Sequence, residues 1–189
     1  DDGLVHVSKD GGATWNIISG NLPQNRWISR VVASAHKKER VYVTLNGYRN
    51  DDFTTYVYMS DDFGQTWINI ATNLPTSPVN VLVEDNVNED VLYLGTDNGV
   101  YVSLNKGSLW NDFSNGIPNV AVHDLVIQKK AKDLVVGTHG RSIYKVNLEP
   151  VQQLNEKVLA ENLHVFEIKK IKKSKEWGNN WSSWAKAAE

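Results

Sequence analysis

The chain has 189 residues, of which 41% are hydrophobic and 22% are charged, and its formal net charge is −2. These values are typical of a globular protein with a core, and the near-neutral balance argues against a nucleic-acid partner, which would favour a basic face. Because the chain has no cysteine, disulfides and thiol chemistry are excluded. No apolar run reaches the length of about eighteen residues that a membrane span requires, so none is predicted.

An eight-residue pattern, S-x-D-x-G-x-T-W, occurs three times. Residues 8–15 (box 1) and 60–67 (box 2) match it in full, whereas 103–110 (box 3) has Asn in place of Asp and Leu in place of Thr. The pattern predicts a hairpin in which a strand ends at Ser, the Asp carboxylate accepts backbone N–H groups, and Gly adopts a conformation closed to other residues. Thr fixes the turn, and Trp begins the returning strand with a large buried surface.

The segments around the boxes also repeat. A turn proline (Pro23, Pro75 or Pro118) lies eight residues after each box Trp, followed by an apolar strand, a polar turn and a second strand. Where a further box follows, a third strand runs into it. Alternation with period two and abundant Val, Ile, Tyr and Thr identify these segments as strands. The predicted strands are 4–8, 15–18, 28–34, 41–45, 56–60, 79–84, 92–96, 100–103, 122–128, 134–138 and 143–146, with further fourth strands beginning at the Trp of boxes 2 and 3.

The boxes resemble the Asp-box (BNR) repeat of β-propellers, which occurs in sialidases, xyloglucanase-type glycoside hydrolases, the sortilin (VPS10) ectodomain and photosystem-assembly propellers. The resemblance covers 1–148 and implies an all-β partial propeller of four-stranded blades. It divides into an outer half-blade (1–18), two blades (28–70 and 79–113) and a partial blade (122–146). It also implies that the boxes are structural and lie on the face away from the ligand site. The residues assigned to structure are Ser8, Asp10, Gly12, Thr14, Trp15, Ser60, Asp62, Gly64, Thr66, Trp67, Ser103, Gly107 and Trp110.

The repeats amount to roughly three and a half blades, fewer than the four to eight that close a ring. Because residue 1 falls inside a repeat, we interpret the sequence as a fragment of a larger, exported protein, located outside the cell, in the periplasm or at the cell surface. Open blade edges predict self-association or contact with further blades.

Residues 149–189 form a predicted extension with a different pattern. A helix is predicted over 151–162 and a strand over 163–168, which would supply an outer strand of the last blade. A lysine-rich run then precedes Trp177, Trp181 and Trp184, which share one side of a helix. We expect these aromatics to pack on the propeller or on a following domain; a carbohydrate-stacking or membrane-surface segment is the alternative.

The face opposite the boxes is where ligand chemistry is expected. The box serines are 52 and then 43 residues apart, and the excess falls in a predicted long loop over 46–55. Long polar loops on a rigid scaffold often carry function, although a merely solvated loop is the alternative. An inter-blade loop and the turn of the last blade project to the same mouth. The predicted ligand-binding residues are Arg26, Trp27, Asn46, Tyr48, Arg49, His139 and Arg141.

Glycoside hydrolysis would require two carboxylates about 5–10 Å apart across a cleft. Asp51, Asp52 and Asp97 are the candidates, and the alternative role of Asp97 is to hold its own Asp-Asn-Gly turn. A sialidase would need three clustered arginines with a Tyr and Glu pair, and that activity is rejected for this chain. The five histidines have no paired spacing, so no metal site is predicted, and no cofactor is expected.

Two functions therefore remain open. The first is a propeller module that binds a peptide, a protein or a glycan, as the resemblance to the sortilin ectodomain implies. The alternative is a glycoside hydrolase of the BNR-repeat or xyloglucanase type that acts on a polysaccharide. An assembly factor similar to the photosystem propellers is a third reading. Fold analogy alone does not decide among them.

Overall fold

Short antiparallel strands make up most of the regular structure in the computed structural model of the chain, which describes residues 3–166. A single turn of 3₁₀ helix, Tyr48–Asn50, lies between the fourth and fifth strands. The strands are β1 (His6–Val7), β2 (Asn16–Ile17), β3 (Trp27–Ala33), β4 (Val41–Gly47), β5 (Asp52–Ser60), β6 (Ile68–Asn69), β7 (Val79–Glu84), β8 (Leu92–Thr96), β9 (Gly99–Ser103), β10 (Trp110–Asp112), β11 (Val122–Gln128), β12 (Asp133–Thr138) and β13 (Ile143–Asn147).

The strands form four sheets in which chain neighbours pair antiparallel: β1-β2, β3-β4-β5-β6, β7-β8-β9-β10 and β11-β12-β13. The first strand of the third sheet, β7, contacts both β3 and β11, so the first strands of successive sheets lie side by side. This arrangement is an all-β partial propeller, and each sheet is one blade or part of one.

The core lies between the blades. Every residue of β8 is buried, because its sheet is covered on both faces by neighbouring sheets, whereas both residues of β2 are exposed. Tyr42 and Tyr93 are fully buried, and their hydroxyls donate hydrogen bonds to Glu84 and Asp85. Burial is the main cause that raises the pKa of each phenol above its ordinary range.

The box loops have the predicted self-bonded geometry. In box 2 the Thr66 N–H and hydroxyl donate to the two Asp62 carboxylate oxygens at 2.9 and 2.6 Å, and the Gly64 N–H donates to the Ser60 hydroxyl at 2.8 Å. Gly64 has φ +82°, a conformation that costs other residues energy. Box 1 repeats these bonds. In box 3 the Gly107 N–H donates to the Ser103 hydroxyl, and the Leu109 N–H donates to the Asn105 side-chain oxygen.

The tryptophans of boxes 2 and 3 donate hydrogen bonds to the preceding blade rather than to their own. The indole N–H of Trp67 donates to the Ile18 carbonyl at 2.8 Å, and that of Trp110 donates to the Ile70 carbonyl at 2.7 Å. Trp110 is only 3% exposed. Trp15 instead donates to its own loop and is 63% exposed, so the expected burial of every box Trp is wrong at box 1.

A buried arginine forms ion pairs on the side of the blades that carries the boxes. Arg40, 4% exposed, lies in the turn that follows β3 and pairs with Asp61 at 2.6 Å and with Glu89 at 2.8 Å. The hydrogen bond to Asp61 is the main cause that raises the pKa of Arg40. These pairs tie box 2 to the turn of the next blade.

Helical structure follows the last strand. Helix α1 spans Glu149–Gln152, and the predicted helix over 151–162 is wrong in its extent. The chain divides into two compact units at Leu154, and the second unit contains α2, Glu156–Leu159. Residues 163–166 are not in a strand, and the rest of the predicted tail, with its lysines and tryptophans, lies outside the described residues. Within 3–166, no helix is long and apolar enough to cross a membrane.

Candidate functional site

A β-bulge occurs at the same place in the first strand of all three larger sheets. The register shifts between Ile28 and Arg30, between Val79 and Val81, and between Val122 and Asp124. The bulge residues are therefore Ser29, Asn80 and His123. Bulges re-aim side chains, and they are over-represented beside binding sites.

The opposing second strands contribute a matching set of polar residues. Asn46 lies near the end of β4, while Asp97 and His139 directly follow β8 and β12. In two blades the bulge residue bonds to this partner: Asn80 donates to Asp97 at 2.8 Å, and the ring nitrogens of His123 and His139 lie 3.0 Å apart. Asn46 also donates to Asn80 at 2.9 Å, which links neighbouring blades. We call these six residues (Ser29, Asn46, Asn80, Asp97, His123 and His139) the polar ladder.

The polar ladder lines a cavity of about 630 Å³ at the face opposite the boxes, hereafter the mouth cavity. Trp27 and Tyr48 also line it, and these two residues are 44% and 59% exposed. The remaining lining residues are Arg30, Arg49 and Ala121. Aromatic surface beside fixed hydrogen-bonding groups is the usual composition of a small-ligand site.

A second cavity of about 390 Å³ adjoins the first. The two share Trp27, Asn46 and Arg49, and the second adds Arg26 and Asn50 among its lining residues. The predicted residues Arg26, Trp27, Asn46, Tyr48, Arg49 and His139 therefore all line one or both of these cavities. Arg141 lines neither.

The extra residues of the second sheet lengthen a hairpin rather than form a loose loop. β4 runs to Gly47, one 3₁₀ turn covers Tyr48–Asn50, and β5 begins at Asp52. The predicted loop over 46–55 is therefore mostly regular structure. Tyr48 and Phe53 meet edge to face at 6.0 Å between ring centroids, which holds the Tyr48 ring at the mouth.

The three candidate carboxylates have different surroundings. Asp52 accepts hydrogen bonds from Thr54, from the Tyr56 hydroxyl at 2.8 Å and from Arg26 at 2.7 Å. These bonds, those from Thr54 first, hold the pKa of Asp52 well below its usual range. Asp51 has a left-handed backbone (φ 53°) and, like Asp52, does not line either cavity.

Among the carboxylates of residues 3–166, Asp97 is the one that lines the mouth cavity. Its Oδ1 accepts a hydrogen bond from Asn80, while the Asn98 N–H of the following turn bonds to the Thr96 hydroxyl. The carboxylate therefore has a partner in the polar ladder. Among residues 3–166, no group of three or more His, Cys, Asp or Glu side chains has the geometry to hold a metal ion.

Sequence reasoning missed half of the ladder. Ser29, Asn80 and His123, together with Arg30, were absent from the predicted site, although the chain repeats them at one blade position. The sequence signal for these positions is a polar residue that interrupts the apolar beginning of the first strand in each sheet. Arg30 pairs with Asp124 at 2.5 Å, next to His123, so the ladder also has a charged neighbour.

Comparison with solved structures places the fold among known propellers. The GH74 enzyme of Niastella koreensis superposes with a TM-score of 0.53 and 22% identity over 64% of this chain and 21% of its own. An ancestral GH74 enzyme gives a TM-score of 0.54 and 18% identity over 72% of this chain and 19% of its own. Both are GH74 enzymes. At these identities the likeness establishes the fold, and the chain spans about one fifth of either length. No protein-family model matches the chain, and no curated protein matches it either.

Proposed function

We propose that the chain is a ligand-binding Asp-box propeller segment and that its mouth cavity binds a neutral glycan chain. The observation that carries the proposal is the juxtaposition of two exposed aromatic rings, Trp27 and Tyr48, with a ladder of paired polar side chains. A glycoside hydrolase, which is the alternative function, would also act on a polysaccharide.

The aromatic rings supply apolar contact area. A sugar ring has an apolar C–H face, which can lie on an aromatic face, and Tyr and Trp offer large rigid surfaces with a polar handle. Trp27 lines both adjoining cavities, so a chain of sugar units that extends from one to the other would pass this ring.

The polar ladder supplies directional bonds. Asn46, Asn80 and Asp97 are already oriented by one another, so little side-chain entropy is lost when a hydroxyl binds beside them. Sugar hydroxyls both donate and accept, which matches amide groups and imidazoles better than an all-cationic or all-anionic surface would. A neutral glycan is therefore favoured over an acidic or basic peptide.

The test is titration calorimetry with neutral β-glucan and xyloglucan oligosaccharides. Trp27→Ala should weaken binding by roughly tenfold, since loss of an aromatic contact costs about 1–1.5 kcal/mol. Trp15→Ala is the matched control, because Trp15 is even more exposed but lies in box 1 on the opposite face. Equal affinities for the wild type and both variants would refute the proposal, as would saturable binding of peptides without any binding of sugars.

Glycoside hydrolysis is the second candidate, and the position of Asp97 at the cavity favours it. Asp52 is a poor general acid, because its lowered pKa keeps it ionised. Turnover of a polysaccharide by the wild type, abolished in Asp97→Asn and retained in Asp51→Asn, would support hydrolysis. We also propose that the protein is located outside the cell, in the periplasm or at the cell surface.

A further inference from the structure

The outer edge of β13 is open in the described part of the chain. Its sheet has three strands within residues 3–166, whereas the two preceding sheets carry a fourth strand, β6 or β10, on the corresponding edge. An edge strand presents backbone N–H and C=O groups that can pair with another strand.

Register identifies what a fourth strand would meet. Three cross-strand pairs are equivalent in the three sheets: Val43 with Tyr58, Leu94 with Tyr101, and Val136 with Tyr144. On its other side Tyr58 pairs with Asn69 and Tyr101 with Asp112, each two residues after a box Trp. Within residues 3–166 no strand pairs with Tyr144 on this side, and the equivalent position in the two preceding sheets is the third residue of a strand that begins with Trp.

The end of β10 repeats a docking geometry seen twice before. The N–H groups of Ile18, Ile70 and Phe113 donate to the carbonyls of Val5, Val57 and Val100 at 2.8–2.9 Å. The carbonyls of Ile18 and Ile70 then accept an indole N–H from the next blade. Within residues 3–166, no indole donates to the Phe113 carbonyl.

A groove of about 300 Å³ lies at this place. Phe113, Ile117, Val136, Tyr144, Lys145 and Val146 are among its lining residues. Four of the lining residues are half-buried and pack on the core of the last two blades: Phe113, Ile117, Tyr144 and Val146. The groove shares no lining residue with the mouth cavity.

We propose that this groove binds an extended strand of another polypeptide with the pattern Trp-x-x-apolar. The strand adds antiparallel to β13, with its Trp opposite Val146, as Trp110 lies opposite Ser103. Its indole N–H donates to the Phe113 carbonyl, and the N–H of its fourth residue donates to the Ile143 carbonyl, as Phe113 does to Val100. Backbone pairing supplies affinity in such strand addition, and the side-chain pocket supplies specificity.

The probe is a dye-labelled synthetic peptide with the sequence of residues 60–71, which contains Trp67 and Ile70 in this pattern. Fluorescence anisotropy against the full chain should show saturable binding. The same peptide with Trp67→Ala should bind at least tenfold more weakly. Absence of binding, or equal binding of both peptides, would overturn the proposal. If the protein itself already covers the groove, the peptide will not bind, and this result also overturns the proposal.

A pair of protein variants separates strand addition from simple apolar contact. Alternate residues of an antiparallel strand turn their backbone groups to the same neighbour, so Lys145 faces outward as Ile143 does. Lys145→Pro removes that N–H without breaking the bonds to β12, whereas Lys145→Ala keeps it. Both lose the ion pair with Asp133. Binding should fall at least tenfold in the Pro variant alone; equal binding to both variants would show that no strand is added.

Discussion

Substitution of Gly64 by Ala tests how the blades are joined. A methyl group on Gly64 would lie 2.5 Å from the Ile18 Cδ1 and 2.7 Å from its Cβ, well inside van der Waals contact. Gly64 also has φ +82°, which costs about 1–2 kcal/mol for an L-residue. Overpacking adds roughly 1–3 kcal/mol. We expect urea denaturation to give a free energy of unfolding lower by about 2–5 kcal/mol.

The control is Gly12→Ala in box 1. Gly12 has a similar positive φ of 96°, but its added methyl would meet only Trp15, at 3.8 Å. This variant should carry the backbone cost alone. In a double-mutant cycle, Ile18→Ala should offset part of the Gly64→Ala loss, because it removes two of the three closest atoms. Equal losses for the two glycine variants, with additive behaviour in the cycle, would refute the proposed contact between blades.

Three further substitutions test other contacts of the fold by urea denaturation. Arg40→Met should cost about 3–5 kcal/mol, because it leaves the buried Glu84 carboxylate without its cation; a loss below 1 kcal/mol would contradict that role. Hydrogen bonds from the box lower the pKa of Asp62 to about 2. The ionised Asp62 therefore stabilises the fold fully at pH values above the ordinary carboxyl pKa, and this stabilisation is lost as the pH falls through about 2. Asp62→Asn should therefore reduce the loss of unfolding free energy between pH 5 and pH 2. If the variant shows the same pH profile of stability as the wild type, Asp62 does not make this contribution. Trp110→Phe should cost about 1–3 kcal/mol by leaving the Ile70 carbonyl unpaired, and no loss would argue that the indole bond is incidental.

The boxes and the strand order could be predicted because both rest on local chemistry. The Ser, Asp, Gly and Thr positions of box 2 bond within eight residues, and the alternation of apolar residues sets which face of each strand is buried. The exposure of Trp15 could not be predicted from its motif. Burial of a box Trp depends on the carbonyl and side chain of a preceding blade, and these lie far away in sequence.

The site was predicted in part for the same reason. Trp27, Tyr48 and His139 follow from loop positions, since the ends of strands can be located from the sequence. Asn80 and His123 reach the mouth through bulges, and a bulge changes the facing of a strand residue without changing the periodicity around it. The pairing of Asp52 with Arg26, 26 residues away, was likewise beyond sequence reasoning.

The most direct test of glycan binding at the mouth follows the indole N–H resonances of the ¹⁵N-labelled chain during titration with a neutral β-glucan oligosaccharide. Seven tryptophans give seven probes, and single Trp→Phe variants assign those of Trp27, Trp15 and Trp110. If a glycan binds at the mouth, the Trp27 resonance should shift saturably, while those of Trp15, on the box face, and Trp110, between blades, stay unchanged. Shifts at Trp15 without any at Trp27 would contradict it.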